Sequence, residues 1–123
     1  MNTTQLQMAD AGTCLLLVFL SGFWLTKSGK PYSALLLNVH KLVSLAALAL
    51  LVIAVIRSNQ AASLSTLELT AAVVGGALFL GAIVSGGLAS LDRPVSWVVL
   101  VMHRVAPFLA LVAAVVTVVL LLR

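Results

Sequence analysis

Two histidines of the chain occupy the same place in a repeated stretch of sequence. Residues 30–41 read KPYSALLLNVHK, and residues 93–104 read RPVSWVVLVMHR. Both follow the pattern basic, Pro, any residue, Ser, six residues, His, basic, and each matched residue of the second copy lies 63 positions after its counterpart. Imidazole can bind a metal, transfer a proton or form a hydrogen bond across helices. His40 and His103 are therefore the candidate centre of any chemistry.

The elements that carry these histidines have the composition of a membrane protein. Of the 123 residues, 63% are hydrophobic and 8% are charged, and the mean hydropathy is +1.23. Four apolar runs are each long enough to cross about 30 Å of hydrocarbon at about 1.5 Å per residue. They cover approximately residues 11–27, 33–56, 66–91 and 95–122. We expect an all-α protein of the lipid bilayer with four transmembrane helices, no soluble domain and no nucleic-acid partner.

Short connections join the four apolar runs: KSGKP, RSNQAAS and LDRP. Short connections make successive helices antiparallel neighbours. The sequence therefore predicts a single up-and-down four-helix bundle that spans residues 1–123.

The repeat extends upstream of the histidine stretch. FLSG at 19–22 resembles IVSG at 83–86, with one residue of slippage relative to the histidine offset. The repeated unit is then a helical hairpin, about 11–57 in the first copy and about 66–123 in the second. Because a whole hairpin separates the copies, the predicted symmetry is a pseudo-twofold axis along the membrane normal.

The basic residues predict an orientation in the cell membrane. Five of the seven fall on the side of the first and third connections: Lys27, Lys30, Lys41, Arg93 and Arg104. Arg57 and Arg123 fall on the other side. The positive-inside rule makes the first side cytoplasmic and leaves both termini on the non-cytoplasmic side. The first ten residues contain no Lys or Arg and include Asp10, so we expect no cleaved signal peptide.

The predicted bundle suggests a cofactor for the histidine pair. Helices 2 and 4 of a four-helix ring are diagonal partners about 14 Å apart if neighbouring axes are about 10 Å apart, which leaves room for one flat macrocycle. Zinc sites use three or four protein ligands. Because the three acidic residues lie at or outside the membrane boundaries, two histidines alone cannot complete such a site. Haem provides four equatorial nitrogens, so two imidazoles complete the octahedral coordination of its iron. We expect haem b with His40 and His103 as its axial ligands.

A basic residue follows each histidine. Lys41 and Arg104 lean towards the N-terminal ends of their helices, so both can extend to the membrane surface. A charge at this depth costs about 2.5 to 3.5 kcal/mol on insertion scales, so a partner is expected. The two propionates of a haem would provide one.

Small residues lie near the predicted level of the histidines, where a macrocycle edge could press against the backbone. They are Ser21, Gly22, Gly81, Ser85 and Gly86. The other interpretation of such residues is close helix contact of the small-xxx-small kind, which we prefer for Gly75 and Gly76. Pro107 lies four residues after His103 and is expected to kink helix 4.

These residues together resemble the transmembrane b-type cytochromes built on four-helix bundles, with the cytochrome b561 group as the nearest likeness. The resemblance covers the bundle and a histidine pair on alternate helices, carried here by His40 and His103. Cytochrome b561 proteins hold two haems with two histidine pairs, whereas this chain has one pair. The resemblance implies an electron carrier with a single haem.

The expected function is electron transfer to or from a quinone, a redox protein or another copy, in a homo- or hetero-oligomer. Two alternatives stay open. In one, the histidines relay protons in a small transporter or channel. In the other, they hold haem for delivery in a membrane anchor subunit. A single membrane histidine can also serve only as an interhelical hydrogen-bonding residue.

Overall fold

The computed structural model describes residues 3–121, with only the backbone at residue 4. The described chain forms four α-helices: α1 Thr3–Ser28, α2 Ala34–Ala61, α3 Thr66–Ala89 and α4 Trp97–Leu121. Each contains a segment long and apolar enough to cross a membrane. The predicted all-α class with four candidate membrane helices is confirmed. Arg123, which entered the orientation argument, lies outside the described residues.

Two helices are longer than the apolar runs that predicted them. α1 begins at Thr3 instead of near residue 11, and α2 continues past Arg57 to Ala61. Neither extension contains a proline or glycine, and most of their residues are tolerated in helices, so backbone hydrogen bonding continues beyond the hydrophobic segment. Hydropathy marks the part of a helix suited to lipid and leaves the helix ends unmarked.

The serine of the repeated motif begins each second helix. The Ser33 carbonyl accepts the backbone N–H of Leu37 at 2.9 Å, and the Ser96 carbonyl accepts that of Leu100 at 3.4 Å. Ser33 and Ser96 thus occupy the N-cap positions, where serine is favoured. The Ser33 hydroxyl also accepts from the Leu36 N–H at 3.4 Å, so helix capping explains the serine in the first copy of the repeat.

The other helix boundaries also follow from local chemistry. Gly29 ends α1 with φ +71°, a left-handed conformation that glycine adopts without penalty, and its N–H bonds to the Leu25 carbonyl at 3.1 Å. A capping box begins α3: the Ser65 hydroxyl accepts from the Glu68 N–H at 3.3 Å, and the Glu68 carboxylate accepts from the Ser65 N–H at 2.6 Å.

The chain divides into two compact units, with the division between Ala54 and Val55. Unit 1 contains α1 and most of α2, and unit 2 contains the end of α2 with α3 and α4. The division falls within α2, whereas the hairpin repeat predicts a boundary in the connection after it. The bundle arrangement, its pseudo-twofold axis and the single four-helix domain stay predictions.

Small side chains dominate the buried positions of both units. In unit 1 they include Ala11, Ser21, Ser44, Ala47 and Ala54, and in unit 2 Ala82, Ser85, Ala106, Ala110 and Thr117. A methyl group added at Gly75 would lie 3.2 Å from the Cβ of Ala113, so α3 and α4 approach closely there. Small residues allow such helix contacts in lipid, where burial of apolar side chains supplies little driving force.

Candidate functional site

His40 is the seventh residue of α2, and its half-buried imidazole lies against α1. A methyl group added at Gly22 would lie 3.0 Å from Cε1 of His40, 3.6 Å from Nδ1 and 3.8 Å from Nε2. Nδ1 is also 2.9 Å from the Ser21 hydroxyl oxygen. The adjacent Ser21 and Gly22 of the FLSG stretch thus provide a polar and a steric contact to one ring.

The hydrogen bonds of Ser21 favour the Nδ1–H tautomer of His40. The Ser21 hydroxyl lies within bonding distance of two carbonyls of its own helix, Leu17 at 2.7 Å and Val18 at 3.1 Å. A hydroxyl has one proton; when it is donated to either carbonyl, the Ser21 oxygen accepts from Nδ1–H of His40. In the neutral imidazole, Nε2 then carries the lone pair.

His103 is the seventh residue of α4 and is likewise half-buried. A methyl group added at Gly86 would lie 2.5 Å from Cε1 of His103, 2.9 Å from Nδ1 and 3.3 Å from Nε2. Nδ1 is 2.9 Å from the carbonyl oxygen of Ala82. A carbonyl only accepts, so Nδ1 donates and the neutral ring again carries its lone pair on Nε2.

The two hairpins therefore contain the same local arrangement. In each, a histidine of the second helix lies edge-on against a glycine of the first helix and donates through Nδ1. A methyl group at either glycine would approach the ring more closely than ordinary contact allows. Gly22 and Gly86 were predicted to lie beside a macrocycle edge, whereas the contact that the structure gives at both is with the imidazole.

Two other predicted site residues, Ser85 and Gly81, differ in whether they lie close to the hydrogen bond of His103. Ser85 is buried, and its hydroxyl donates to the Ala82 carbonyl at 3.1 Å, so it shares the acceptor used by His103. Gly81 has no described atom beyond its own helix backbone and chain neighbours within 4 Å of an added methyl group. Gly81 is thus not brought against the His103 ring.

Lys41 and Arg104 are exposed, and each directly follows a half-buried histidine. Their positions repeat as closely as those of the histidines. Exposure leaves both long side chains able to extend along the helix surface while the imidazoles remain against the neighbouring helix.

The sequence did not reveal the role of the Ala82 carbonyl. A backbone acceptor is independent of its side chain, so no residue type marks it.

The backbone carbonyls of the two histidines have different partners. The Ser44 hydroxyl donates to the His40 carbonyl at 2.7 Å, whereas Pro107, at the equivalent position of the repeat, has no N–H for the His103 carbonyl. α4 nevertheless continues through Pro107 as one helix.

The described residues offer single imidazoles for metal binding and no larger cluster of metal-binding side chains. Within residues 3–121, no group of three or more His, Cys, Asp or Glu side chains is placed to hold a metal. Each imidazole has Nδ1 engaged as a donor, the arrangement that fixes the tautomer of metal-ligating histidines and raises their basicity. Nε2 is the atom that each ring would offer to iron.

The chain matches no protein-family model, no curated protein and no solved structure. The resemblance to the cytochrome b561 group accordingly rests on the histidine pair and the four apolar helices, and it stays a prediction.

Proposed function

We propose that this is a small integral membrane haem b protein that carries electrons, with His40 and His103 as the two axial ligands of one iron. The observation that supports the proposal most directly is the duplicated contact: each hairpin holds one imidazole against a glycine with Nδ1 donating. A lone structural histidine would not require this arrangement twice, in equivalent places of an internal repeat.

The protein residues have a defined task in this proposal. The hairpins orient the two imidazoles, because Nδ1 of each ring is hydrogen-bonded to an oxygen atom of the neighbouring helix. Haem, when bound, supplies a one-electron couple. Ligation of its iron by both histidines would favour electron transfer over oxygen activation.

Lys41 and Arg104 have the complementary task of balancing charge. Both are exposed, and both lie one residue from a proposed ligand, so their side chains can extend to the anionic propionates. The electron donor and acceptor would be a quinone, a redox protein or another copy of the chain.

Proton relay by the histidines receives less support from the hydrogen bonds. The chain from His40 passes through the Ser21 hydroxyl to backbone carbonyls, and that from His103 ends directly at the Ala82 carbonyl. A carbonyl can accept a hydrogen bond but has no proton to pass on. A relay through Nδ1 would therefore stop within one helix turn.

The first test is the optical spectrum of the protein, expressed with ample haem and purified in detergent, before and after dithionite. We expect the sharp α and β bands of a reduced low-spin b haem, because paired imidazoles impose a strong field. His40→Ala and His103→Ala should each become high spin or bind carbon monoxide, and the double variant should lose haem.

Helicity should survive in all three variants, because the apolar helices satisfy their own backbone hydrogen bonds in lipid. Asn38→Ala, two residues from His40 on the same helix, is the control and should keep the wild-type spectrum. A wild-type protein that stays colourless would refute the cytochrome proposal and favour the transporter alternative. Labile haem with slow electron exchange would instead favour the haem-handling anchor.

A further inference from the structure

The repeated serine takes a different hydrogen-bonding role in each hairpin. Aligning FLSG with IVSG makes Ser21 equivalent to Ser85, and the preceding Val18 equivalent to Ala82. A carbonyl at this last position therefore lies near the histidine in both units. The two units differ in whether the serine hydroxyl lies between the histidine Nδ1 and that carbonyl.

In unit 1 the hydroxyl is inserted. His40 Nδ1 lies 2.9 Å from the Ser21 oxygen, which in turn lies 3.1 Å from the Val18 carbonyl and 2.7 Å from the Leu17 carbonyl. This acceptor belongs to a side chain that can rotate between two carbonyls, and a substitution can remove it.

In unit 2 the hydroxyl lies beside the hydrogen bond of the histidine and is not part of it. His103 Nδ1 donates directly to the Ala82 carbonyl at 2.9 Å, and Ser85 donates separately to the same oxygen at 3.1 Å. No side-chain substitution at Ser85 removes the acceptor of His103, since that acceptor is backbone.

We propose that Ser21 is a positioning residue that holds His40 in its Nδ1–H tautomer, and that the two histidines are consequently inequivalent. His40 depends on a side-chain hydroxyl, whereas His103 depends on the backbone of α3. The consequence for haem binding rests on the function proposed above. His40 is the ligand whose affinity for iron can be changed by one neighbouring side chain.

The test compares Ser21→Ala with Ser85→Ala, which are the same substitution at equivalent positions of the repeat. Because the chain has two histidines, ¹⁵N-histidine labelling gives two ring systems, which His103→Gln assigns. Solid-state NMR of the haem-free protein in lipid bilayers then reports the tautomer of each ring.

We expect both rings of the wild type to be mainly Nδ1–H. Ser21→Ala should shift the tautomer ratio of His40 towards Nε2–H by roughly two- to tenfold, the effect of losing one hydrogen bond, and should leave His103 unchanged. Ser85→Ala should retain the Nδ1–H tautomer of both rings. Ser21→Thr, which keeps a hydroxyl, should restore the wild-type ratio.

An unchanged His40 in Ser21→Ala, or equal changes of both rings, would overturn the inference. This outcome is independent of haem, so a colourless wild type would refute the proposed function while the NMR comparison would still decide the role of Ser21. In haem-loaded protein, Ser21→Ala should lower haem affinity by about 10- to 100-fold, as for other residues that orient a metal-bound histidine. Ser85→Ala, which retains the backbone acceptor of His103, should lower it less.

Discussion

A histidine ring that lies edge-on against a neighbouring helix requires the space that a glycine leaves. The Cε1 atoms of His40 and His103 lie 3.0 Å and 2.5 Å from where a Cβ would stand at Gly22 and Gly86. Real Cβ contacts are rarely this short, so a side chain at either position would displace the ring. The effect should be larger at Gly86, where the approach is closer.

Replacement of these glycines by alanine tests the contact. Gly86→Ala should displace His103 and destabilise the protein by about 1 to 3 kcal/mol, as overpacking typically does, with partial loss of haem. Gly22→Ala should show a smaller effect of the same kind. Thermal unfolding in detergent and the haem-to-protein ratio measure the two consequences.

The chain provides a control for each glycine. Gly87 and Gly12 have no described atom beyond their own helix and chain neighbours within 4 Å of an added methyl group. Alanine there should be neutral or slightly stabilising, because alanine favours the helix over glycine. Equal losses in Gly86→Ala and Gly87→Ala would show that the imidazole contact is not responsible.

The predictability of the site differs between its residues. The sequence placed Gly22 and Gly86 at the histidine level because the FLSG and IVSG stretches repeat. It could not show that their neighbour is an imidazole, nor that the Ala82 carbonyl accepts from His103, because both depend on the rotation of one helix about its axis relative to another. Apolar periodicity gives little rotational information where most faces of a helix are hydrophobic.

At the scale of the elements, the repeated sequence combines two physical signals. Ser33 and Ser96 occupy the N-cap positions of α2 and α4, whereas the histidine, the seventh residue of each helix, contacts the neighbouring helix. The sequence predicted the four helices well because each is a long apolar segment. It predicted their ends less well, since Thr3 and Ala61 lie beyond the hydrophobic runs and only hydrogen bonding defines them.

Removing the serine hydroxyls tests whether helix capping and the positioning of the histidines are independent. Ser33→Ala and Ser96→Ala should each lower the free energy of unfolding by about 0.5 to 2 kcal/mol, as expected for loss of an N-cap, while the haem spectrum stays unchanged. Ser28→Ala is the control, since that hydroxyl bonds back to the Trp24 carbonyl within its own helix. A changed spectrum in either cap variant would mean that the cap also positions the histidine.

At the scale of the whole molecule, the distribution of charge carries the functional information. The chain has a formal net charge of +4 from seven basic and three acidic residues, and two of the basic residues lie inside candidate membrane helices beside the histidines. The positive-inside rule predicts the orientation of the chain from the connections. Lys41 and Arg104 count less in this rule because they lie within helices, where charges are costly and are retained where they have a partner.

The double variant Lys41→Gln, Arg104→Gln tests whether the haem propionates are that partner. Removing two positive charges near the iron should destabilise its reduced form relative to its more positive oxidised form, because nearby cations favour an added electron. The midpoint potential should therefore fall, and haem should be retained but bound less tightly. Potentiometric titration and a haem-transfer assay measure these effects. Arg57→Gln removes one positive charge near the end of α2, away from the histidines in sequence, and should leave both values unchanged. If the double variant and this control have the same potential and the same haem retention, Lys41 and Arg104 do not contact the propionates.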